Sequence, residues 1–285
     1  MLFIIGALVV LAAGEARAND GAAGLAAGEL VFKHLDGVRM ETEDLFISEK
    51  QVRVRYSFHN ITDHDIETVV AFPLPPILAK EGPACGPDSE ESEAYDACSD
   101  NPLGFAVTID GKATAFHTER KRLPLDPKRP NWPMDSVTHH WTQRFGAGKS
   151  VVIEHSYKPA DAVGWIRDES DSKLELGRDF CVGTRTHKSL FDILRGQHAI
   201  PAGPRVSLQI QSIKYILKTA LTWAGPIGRF HLTIEKSPPS EFVSVCLDGL
   251  KKTSPTRHEL VASVYVPRND LSILFVDPSF AATGE

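Results

Sequence analysis

The alternation of polar and apolar residues along short segments limits this chain more than any other feature. Residues 51–58, Gln-Val-Arg-Val-Arg-Tyr-Ser-Phe, alternate without interruption. Successive side chains of a strand point to opposite faces, so this pattern predicts a β-strand with one buried face. A second apolar segment, 66–72, ends before Pro73, and residues 59–63 between them have turn character. We therefore predict a hairpin of two amphipathic strands.

The strand pattern recurs along most of the chain. Asp110-Gly111 predicts a hairpin turn, and Gly146-Ala-Gly148 predicts a turn into the next strand. The apolar residues within 189–195 predict a short helix that Gly196 stops. The further predicted strands are 104–110, 113–120, 137–145, 150–157, 205–217, 230–235, 242–247, 258–266 and 271–276.

These segments predict a mainly β protein of two packed antiparallel β-sandwich-like domains, joined by a short helical or irregular connection. We expect an N-terminal sandwich at 19–158, a mixed connector with the short helix at 159–204, and a C-terminal β-rich domain at 205–277. The loop 77–102 differs from its surroundings, because seven acidic residues follow Lys80 with no basic residue among them. Such a run is typical of a solvated surface loop.

The first eighteen residues predict where the protein works. Residues 2–13 form an almost unbroken apolar run, and Ala16-Arg17-Ala18 follows as a small-x-small cleavage site, which places the mature start at Asn19. At ~1.5 Å per helical residue, the run is too short for a bilayer core of ~30 Å. No Lys or Arg precedes it, which a start codon placed slightly too late would explain; an uncleaved anchor is the alternative. We predict a periplasmic or secreted protein with no membrane span after signal cleavage.

Export would place the four cysteines, Cys85, Cys98, Cys181 and Cys246, in an oxidising compartment. An even number in an oxidising compartment favours disulfides, and the absence of any C-x-x-C spacing supports neither a redox motif nor a zinc site. Three pairings are possible. We favour Cys85–Cys98, which would close the acidic loop, together with Cys181–Cys246, and we expect both bridges to be structural.

The sequence supports no catalytic residues, no metal site and no cofactor. It has neither G-x-S-x-G nor H-E-x-x-H. The adjacent His139 and His140 would point to opposite faces of a strand and could not chelate one metal together, although one of them could join a distant ligand. A net charge of −6 and an isoelectric point near 6.0 argue against nucleic acid as a partner.

Aromatic residues indicate a possible binding surface. Its candidate residues are Trp132, His139, His140, Trp141 and Trp223. Basic and aromatic character together can bind an anionic partner or a glycan, but tryptophans more often fill a domain interface, which we favour. In Trp223-Ala-Gly-Pro-Ile-Gly228, the glycines allow turn geometry and the apolar side chains can pack the turn onto a sheet. The alternative is that this turn shapes a ligand cleft.

Several short motifs together resemble a known bacterial family. They are Val31-Phe32, Glu43-Asp-Leu-Phe-Ile-Ser48, Val52-Arg-Val-Arg-Tyr56, Ala71-Phe-Pro-Leu-Pro75, Asn101-Pro-Leu-Gly-Phe105, Tyr215-Ile-Leu-Lys-Thr219, Trp223-Ala-Gly-Pro-Ile-Gly228 and Lys251-Lys-Thr-Ser-Pro-Thr256. Over about residues 20–276, the chain resembles an exported bacterial family that is known as domain of unknown function 4424. The resemblance implies a β-rich exported protein and no activity. Phe72-Pro-Leu-Pro75 followed by Ile109-Asp-Gly-Lys112 is also similar to the vault and inter-alpha-trypsin domain pattern.

Our leading hypothesis is a periplasmic, non-enzymatic binding or protein-interaction protein whose partner is an unidentified envelope protein or ligand. The sequence does not indicate an oligomeric state. One rival is an exported hydrolase with an inter-domain site that uses His139, His140 and distant carboxylates. Another is a structural module of the cell envelope.

Overall fold

The computed structural model describes residues 21–26, 29–79, 96, 98–127, 130–166, 179–198 and 206–283. This part of the chain is mainly β, as predicted. Its helices include the α-helix α1 (Thr184–His198) and a short 3-10 helix at Lys218–Thr222. The strands are β1 (Gly21–Ala26), β2 (Glu29–Phe32), β3 (Val38–Ile47), β4 (Val52–Asn60), β5 (Ile66–Pro73), β6 (Ile77–Leu78), β7 (Ala106–Ile109), β8 (Lys112–Ala113), β9 (His117–Arg122), β10 (Met134–Phe145), β11 (Ser150–Tyr157), β12 (Asp161–Ile166), β13 (Val206–Tyr215), β14 (Ile227–Glu235), β15 (Phe242–Val245), β16 (Lys251–Lys252), β17 (Arg257–Tyr265) and β18 (Leu271–Thr283).

The strands form three sheets. Sheet I has the order β2-β1-β5-β10-β6, with β9 also paired to β10. Sheet II has the order β16-β17-β14-β3-β4-β11-β7-β8, and sheet III has the order β12-β13-β18-β15. Neighbouring strands are antiparallel except β14 and β3, which run parallel. Sheets I and II share one hydrophobic core, to which residues of sheet III such as Ile213 and Phe275 contribute.

The predicted strands at 51–58 and 66–72 exist, but the prediction that they form a hairpin is wrong. β4 lies in sheet II and β5 in sheet I. The side chain of Asn60 holds the chain at the crossing: its amide nitrogen donates to the carbonyl oxygens of His64 (2.8 Å) and Phe145 (2.9 Å). Its amide oxygen accepts from the backbone N–H of Thr62 (2.9 Å). The turn therefore leads from one sheet to the other.

The hairpin at Asp110-Gly111 is confirmed, but it is short. Both residues have positive φ, 49° and 76°, as a tight hairpin turn between twisted strands requires. Its second strand, β8, covers only Lys112–Ala113, and the chain then crosses to sheet I as β9. The predicted strand 113–120 is thus divided between two sheets.

The helix is longer than the sequence predicts, because α1 covers 184–198 and Gly196 lies inside it. Leu190, Phe191 and Leu194 are buried in a small apolar cluster with Leu208 of β13 and Leu274 of β18. Burial of each such side chain contributes about 2 kcal/mol, more than the ~1 kcal/mol that a helical glycine costs. Packing on sheet III thus stabilises the helix immediately before Gly196.

Strands from the C-terminal third of the chain enter two different sheets. β14, β16 and β17 extend sheet II beyond β3, whereas β13, β15 and β18 belong to sheet III. Gly228 allows β14 to approach β3, because a Cβ atom there would lie 2.5 Å from the carbonyl oxygen of Glu41. Gly225, with φ of 74°, occupies the turn before this strand. The two glycines of the motif therefore serve different purposes.

Several sequence predictions lie outside the described residues. These are the signal peptide at 1–18 with its cleavage residues Ala16, Ala18 and Asn19, then Cys85, and residues 80–95 and 97 of the acidic loop. Within the part of the chain that the structure describes, no helix combines the length and the apolar character needed to cross a bilayer.

Candidate functional site

The five residues predicted as a binding surface do not share a surface, which corrects that prediction. Trp132 is 57% exposed, whereas His139, Trp141 and Trp223 are buried. His140 is half-buried on the opposite face of β10 from its neighbour His139, as strand alternation requires. The two histidines therefore do not converge on one site, either for a metal or for the hydrolase hypothesis.

His139 lies in the core between sheets I and II. Its ring stacks on Phe105 at a centroid distance of 4.7 Å and meets the edge of Phe116 at 4.7 Å. Nδ1 is 3.0 Å from the hydroxyl of Thr118. Burial, with a smaller contribution from the charge of His140, lowers the pKa of His139 to about 4. The imidazole is therefore a neutral core group at neutral pH.

His155 of β11 has a similar environment on the other side of the core. Its ring contacts Phe72 at 4.9 Å and Trp141 at 5.5 Å. Burial lowers the pKa of His155 to about 3, with a smaller contribution from His139. These two histidines belong to the packing of an aromatic core.

A buried chain of hydroxyl groups joins sheet II to sheet III. The hydroxyl of Tyr215 donates to Glu43 Oε1 at 3.1 Å and lies 3.0 Å from the hydroxyl of Tyr56. Burial raises the pKa of Tyr215 well above its ordinary value, and the neighbouring Tyr56 and Glu43 raise it further. Hydrogen bonding offsets the cost of placing the Glu43 carboxylate inside the protein.

Trp223 packs inside the protein at the turn before β14. Its ring lies 4.6 Å from Phe58 and 5.9 Å from Phe145, between centroids. Ile227 of the same motif is also buried. The motif thus packs its turn onto the sheets, as its structural interpretation predicts.

The predicted disulfide between Cys181 and Cys246 is present, with a Cα–Cα distance of 5.0 Å. It ties the segment before α1 to the residue after β15, and Ser244 adds a hydrogen bond from its hydroxyl to the carbonyl oxygen of Phe180. Cys98 is also disulfide-bonded. Its predicted partner, Cys85, lies outside the described residues.

A groove of about 400 Å³ lies on the outer face of sheet II. Strands β3, β4, β11 and β7 lie side by side beneath it. Because strand side chains alternate, the polar positions of the β4 pattern all face this side. The outward-facing lining residues are Asp44, Phe46, Arg53, Arg55, Ala106, Thr108, Glu154 and Ser156, and the groove is also bordered by Val54 and His155, which are buried.

Strand register arranges these side chains in two rows across the sheet. The first row is a ladder of alternating charge, formed by His231, Asp44, Arg55, Glu154 and Thr108. Asp44 accepts from His231 at 3.1 Å, and Arg55 meets Glu154 at 3.1 Å. Cross-strand pairs of opposite charge stabilise a sheet. Asp44 also accepts from Arg229 Nη1 at 3.3 Å, so each carboxylate of this row is paired with an arginine.

The second row contains Phe46, Arg53, Ser156 and Ala106. The guanidinium of Arg53 lies 4.4 Å from the centroid of the Phe46 ring. Among the described residues, no carboxylate pairs with Arg53. A guanidinium held over an aromatic face keeps its N–H donors at its edge, where they can bind an anion. Arg53 is therefore the residue of the groove that is available to bind a ligand.

The sequence contains a signal for this groove, but the alternation of residues does not by itself identify a site. Arg53 and Arg55 occupy the exposed positions of the clearest strand pattern in the chain. Phe46 and Glu154 come from other strands, and only the register shows that they flank these arginines. A solvated strand face and a binding face therefore have the same sequence pattern.

A second group of titratable side chains lies on the outer face of sheet I. His117 of β9 is directly opposite His140 of β10, and their ring centroids are 5.5 Å apart. Burial lowers the pKa of His140, His117 lowers it further, and the Glu119 carboxylate opposes both effects. Within the described ranges, no three or more His, Cys, Asp or Glu side chains are already gathered around one point.

The comparisons with known proteins identify a family, and the solved structures that match include one described below. The model of DUF4424, a domain of unknown function, matches residues 18–126 and 121–274. No curated protein matches the chain. The crystal structure of a "putative nutrient binding protein" from Legionella pneumophila subsp. pneumophila str. Philadelphia 1 is 15% identical, with a TM-score of 0.47. The match covers 90% of this chain and 72% of that one.

Proposed function

This chain belongs to the DUF4424 family, a domain of unknown function, and from its structure we propose that it is an exported, non-enzymatic binding protein. Its ligand is a small organic anion held in the groove on the outer face of sheet II. The observation that carries the proposal is Arg53, which stacks on Phe46 and has no carboxylate partner among the described residues.

The chemistry of the groove favours an anion over a cation. Asp44 and Glu154 already accept from protein cations, so they attract a positively charged ligand only weakly. Arg53 retains its donors, and the fork geometry of a guanidinium matches a carboxylate in a two-point contact. A charge-assisted contact of this kind sets the orientation of the ligand.

The remaining lining residues suit the rest of such a ligand. The hydroxyl of Ser156, beside Arg53 in the second row, has no hydrogen-bond partner among the described residues and can bond to the ligand. Phe46 and Ala106 supply apolar surface in the same row. A volume of about 400 Å³ is at the lower end of the range for small-molecule sites. We therefore expect a compact dicarboxylate or amino acid.

Export is supported by the signal-like residues 1–18 and by the Cys181–Cys246 disulfide, since disulfides persist in oxidising compartments. Cell fractionation of the full chain, followed by intact-mass analysis, tests this part of the proposal. We expect periplasmic protein that begins at Asn19 and retains its disulfides. Full-length protein in the cytoplasm with reduced cysteines would overturn it.

The ligand proposal is tested with defined probes and a matched pair of variants. Succinate, glutamate and inorganic phosphate are added to the purified protein, with succinamide as the uncharged counterpart of succinate, and binding is measured by calorimetry. Arg53→Gln is compared with Arg39→Gln. Arg39 is an exposed arginine on the same sheet, paired with His59, about 20 Å along β4 from Arg53.

We expect at least one of the three anions to bind and succinamide not to bind. Arg53→Gln should lower the affinity for that anion by about tenfold or more, because a charge-assisted two-point contact is lost. Arg39→Gln should bind as the wild-type protein does. Failure of all three anions to bind, or equal affinity in Arg53→Gln, would overturn the proposed ligand class.

A further inference from the structure

His117 and His140 form a cross-strand pair on the outer face of sheet I, away from the groove of sheet II. They face each other directly in the register of β9 and β10. The sequence already indicates that His140 cannot share a metal with His139, and the structure supplies His117 as its partner. His117 is exposed and His140 is half-buried, so both imidazoles are reachable from solvent.

The distance between the two rings suits a shared metal ion. Zinc binds imidazole nitrogen at about 2.0–2.1 Å in tetrahedral geometry. When the distance from the nitrogen to the ring centre is added to each Zn–N bond, two imidazoles bound at the tetrahedral angle have ring centroids about 5 Å apart. The observed separation is 5.5 Å. The spacing of the two rings therefore matches that of two imidazoles bound to one ion, provided that a nitrogen of each ring turns toward it.

Glu119 supplies a third donor on the same face. It lies two residues after His117 on β9, so strand alternation places both side chains on the outer side. It is also the diagonal neighbour of His140, at a separation that a glutamate side chain can span. Two histidines and one glutamate form a known ligand set for zinc, with the remaining position open to water.

We propose that His117, Glu119 and His140 bind one divalent transition-metal ion of the zinc class on the outer face of sheet I. The two imidazoles provide the ready-made part of the site, and Glu119 completes it by rotating toward the ion. Because the site is open to solvent and its third ligand is not preset, its dissociation constant should be on the order of micromolar. This proposal is independent of the groove and its anion.

The test uses zinc alone as the probe. Tag-free full-chain protein, treated with a chelator and then freed of it, is titrated with ZnCl₂ by calorimetry. The variants are His117→Ala, His140→Ala and Glu119→Gln, and His64→Ala serves as the control. His64 is an exposed histidine beside Asp63 in the turn before β5, near the Phe145 end of β10 and about 17 Å along that strand from His140.

We expect one zinc ion per chain, and a loss of affinity of about tenfold or more in each histidine variant. Glu119→Gln should bind more weakly than the wild-type protein, and His64→Ala should be unchanged. Two further readouts report on the metal itself. Saturating zinc should raise the Tm of the wild-type protein and not that of His117→Ala, and Cu²⁺ spectra should show two imidazole nitrogens.

Three results would overturn the proposal. They are the absence of zinc binding, equal affinity in either histidine variant, and Cu²⁺ spectra that lack the two nitrogens. Unchanged affinity in Glu119→Gln would overturn the three-ligand site. Loss of folding does not obscure the result, because the Tm of each variant without zinc is measured in the same experiment.

Discussion

The two faces of strand β4 have opposite functions although they alternate residue by residue. Val52, Val54, Tyr56 and Phe58 point inward and are buried, whereas Arg53 and Arg55 point outward into the groove. The inner residues are held by packing, since protein interiors are as dense as organic crystals. The outer residues contact solvent and one another. The same strand therefore supplies both the core and the candidate site.

This difference implies that changes on the two faces should have different effects. A change on the inner face leaves a cavity or an unfavourable charge in the core and lowers stability. A change on the outer face alters contacts that water already weakens, so it changes binding with little loss of stability. The first two predictions below concern the inner face and the last concerns the outer face.

The largest effect is expected for Phe58→Ala. The Phe58 ring is buried and lies 4.6 Å from Trp223 and 6.0 Å from Phe145, between centroids. Its removal should lower the free energy of unfolding by about 3–5 kcal/mol, because apolar contacts are lost and a cavity remains. Urea unfolding measures this change. Phe58→Leu should cost clearly less, and equal costs for the two variants would contradict packing as the cause.

The second prediction concerns pH and His155, whose folded pKa is lowered from 6.5 to about 3 by burial. Above about pH 6.5 the imidazole is neutral in both states. Between these values the unfolded chain takes up a proton that the folded protein does not. Stability should therefore fall as the pH falls, by about 1.4 kcal/mol per pH unit, until the decline ends near the folded pKa.

His155→Phe removes this titration while keeping an aromatic ring in the core. Unfolding free energies measured from about pH 4 to about pH 5.5 should show a slope smaller by close to one proton than in the wild-type protein. The difference between the two slopes isolates His155 from the other titrating groups. Identical slopes would mean that the folded protein admits the charged imidazole.

Alternation predicted most strands of this fold but not their partners. The pattern at 51–58 depends only on which side of a strand faces the core, so β4 was found within two residues. Pairing depends on where the next segment goes. Asn60 hydrogen-bonds across to Phe145 and directs the chain into the other sheet, whereas the sequence at 59–63 has the same turn character as a hairpin.

The candidate sites are harder to predict from the sequence than the strands are. His139 and His140 were correctly placed on opposite faces, because that follows from the geometry of one strand. Which neighbours they meet follows from the register of β9 on β10, and His117 is more than 20 positions away in the chain. Likewise, tryptophans such as Trp141 and Trp223 are typical of binding surfaces, but in this protein both are buried in the core between the sheets.

The smallest effect is expected for the Arg55–Glu154 pair on the outer face, whose side chains are 51% and 44% exposed. A double-mutant cycle with Arg55→Gln and Glu154→Gln should give a coupling energy of about 0.2–1 kcal/mol, because solvent screens exposed charges. The coupling should decrease in about 1 M salt, where the Debye length is about 3 Å. A coupling of several kcal/mol that salt does not change would mean that the groove is closed to solvent. The outer face would then be a second interior, and the difference between the two faces of β4 would no longer hold.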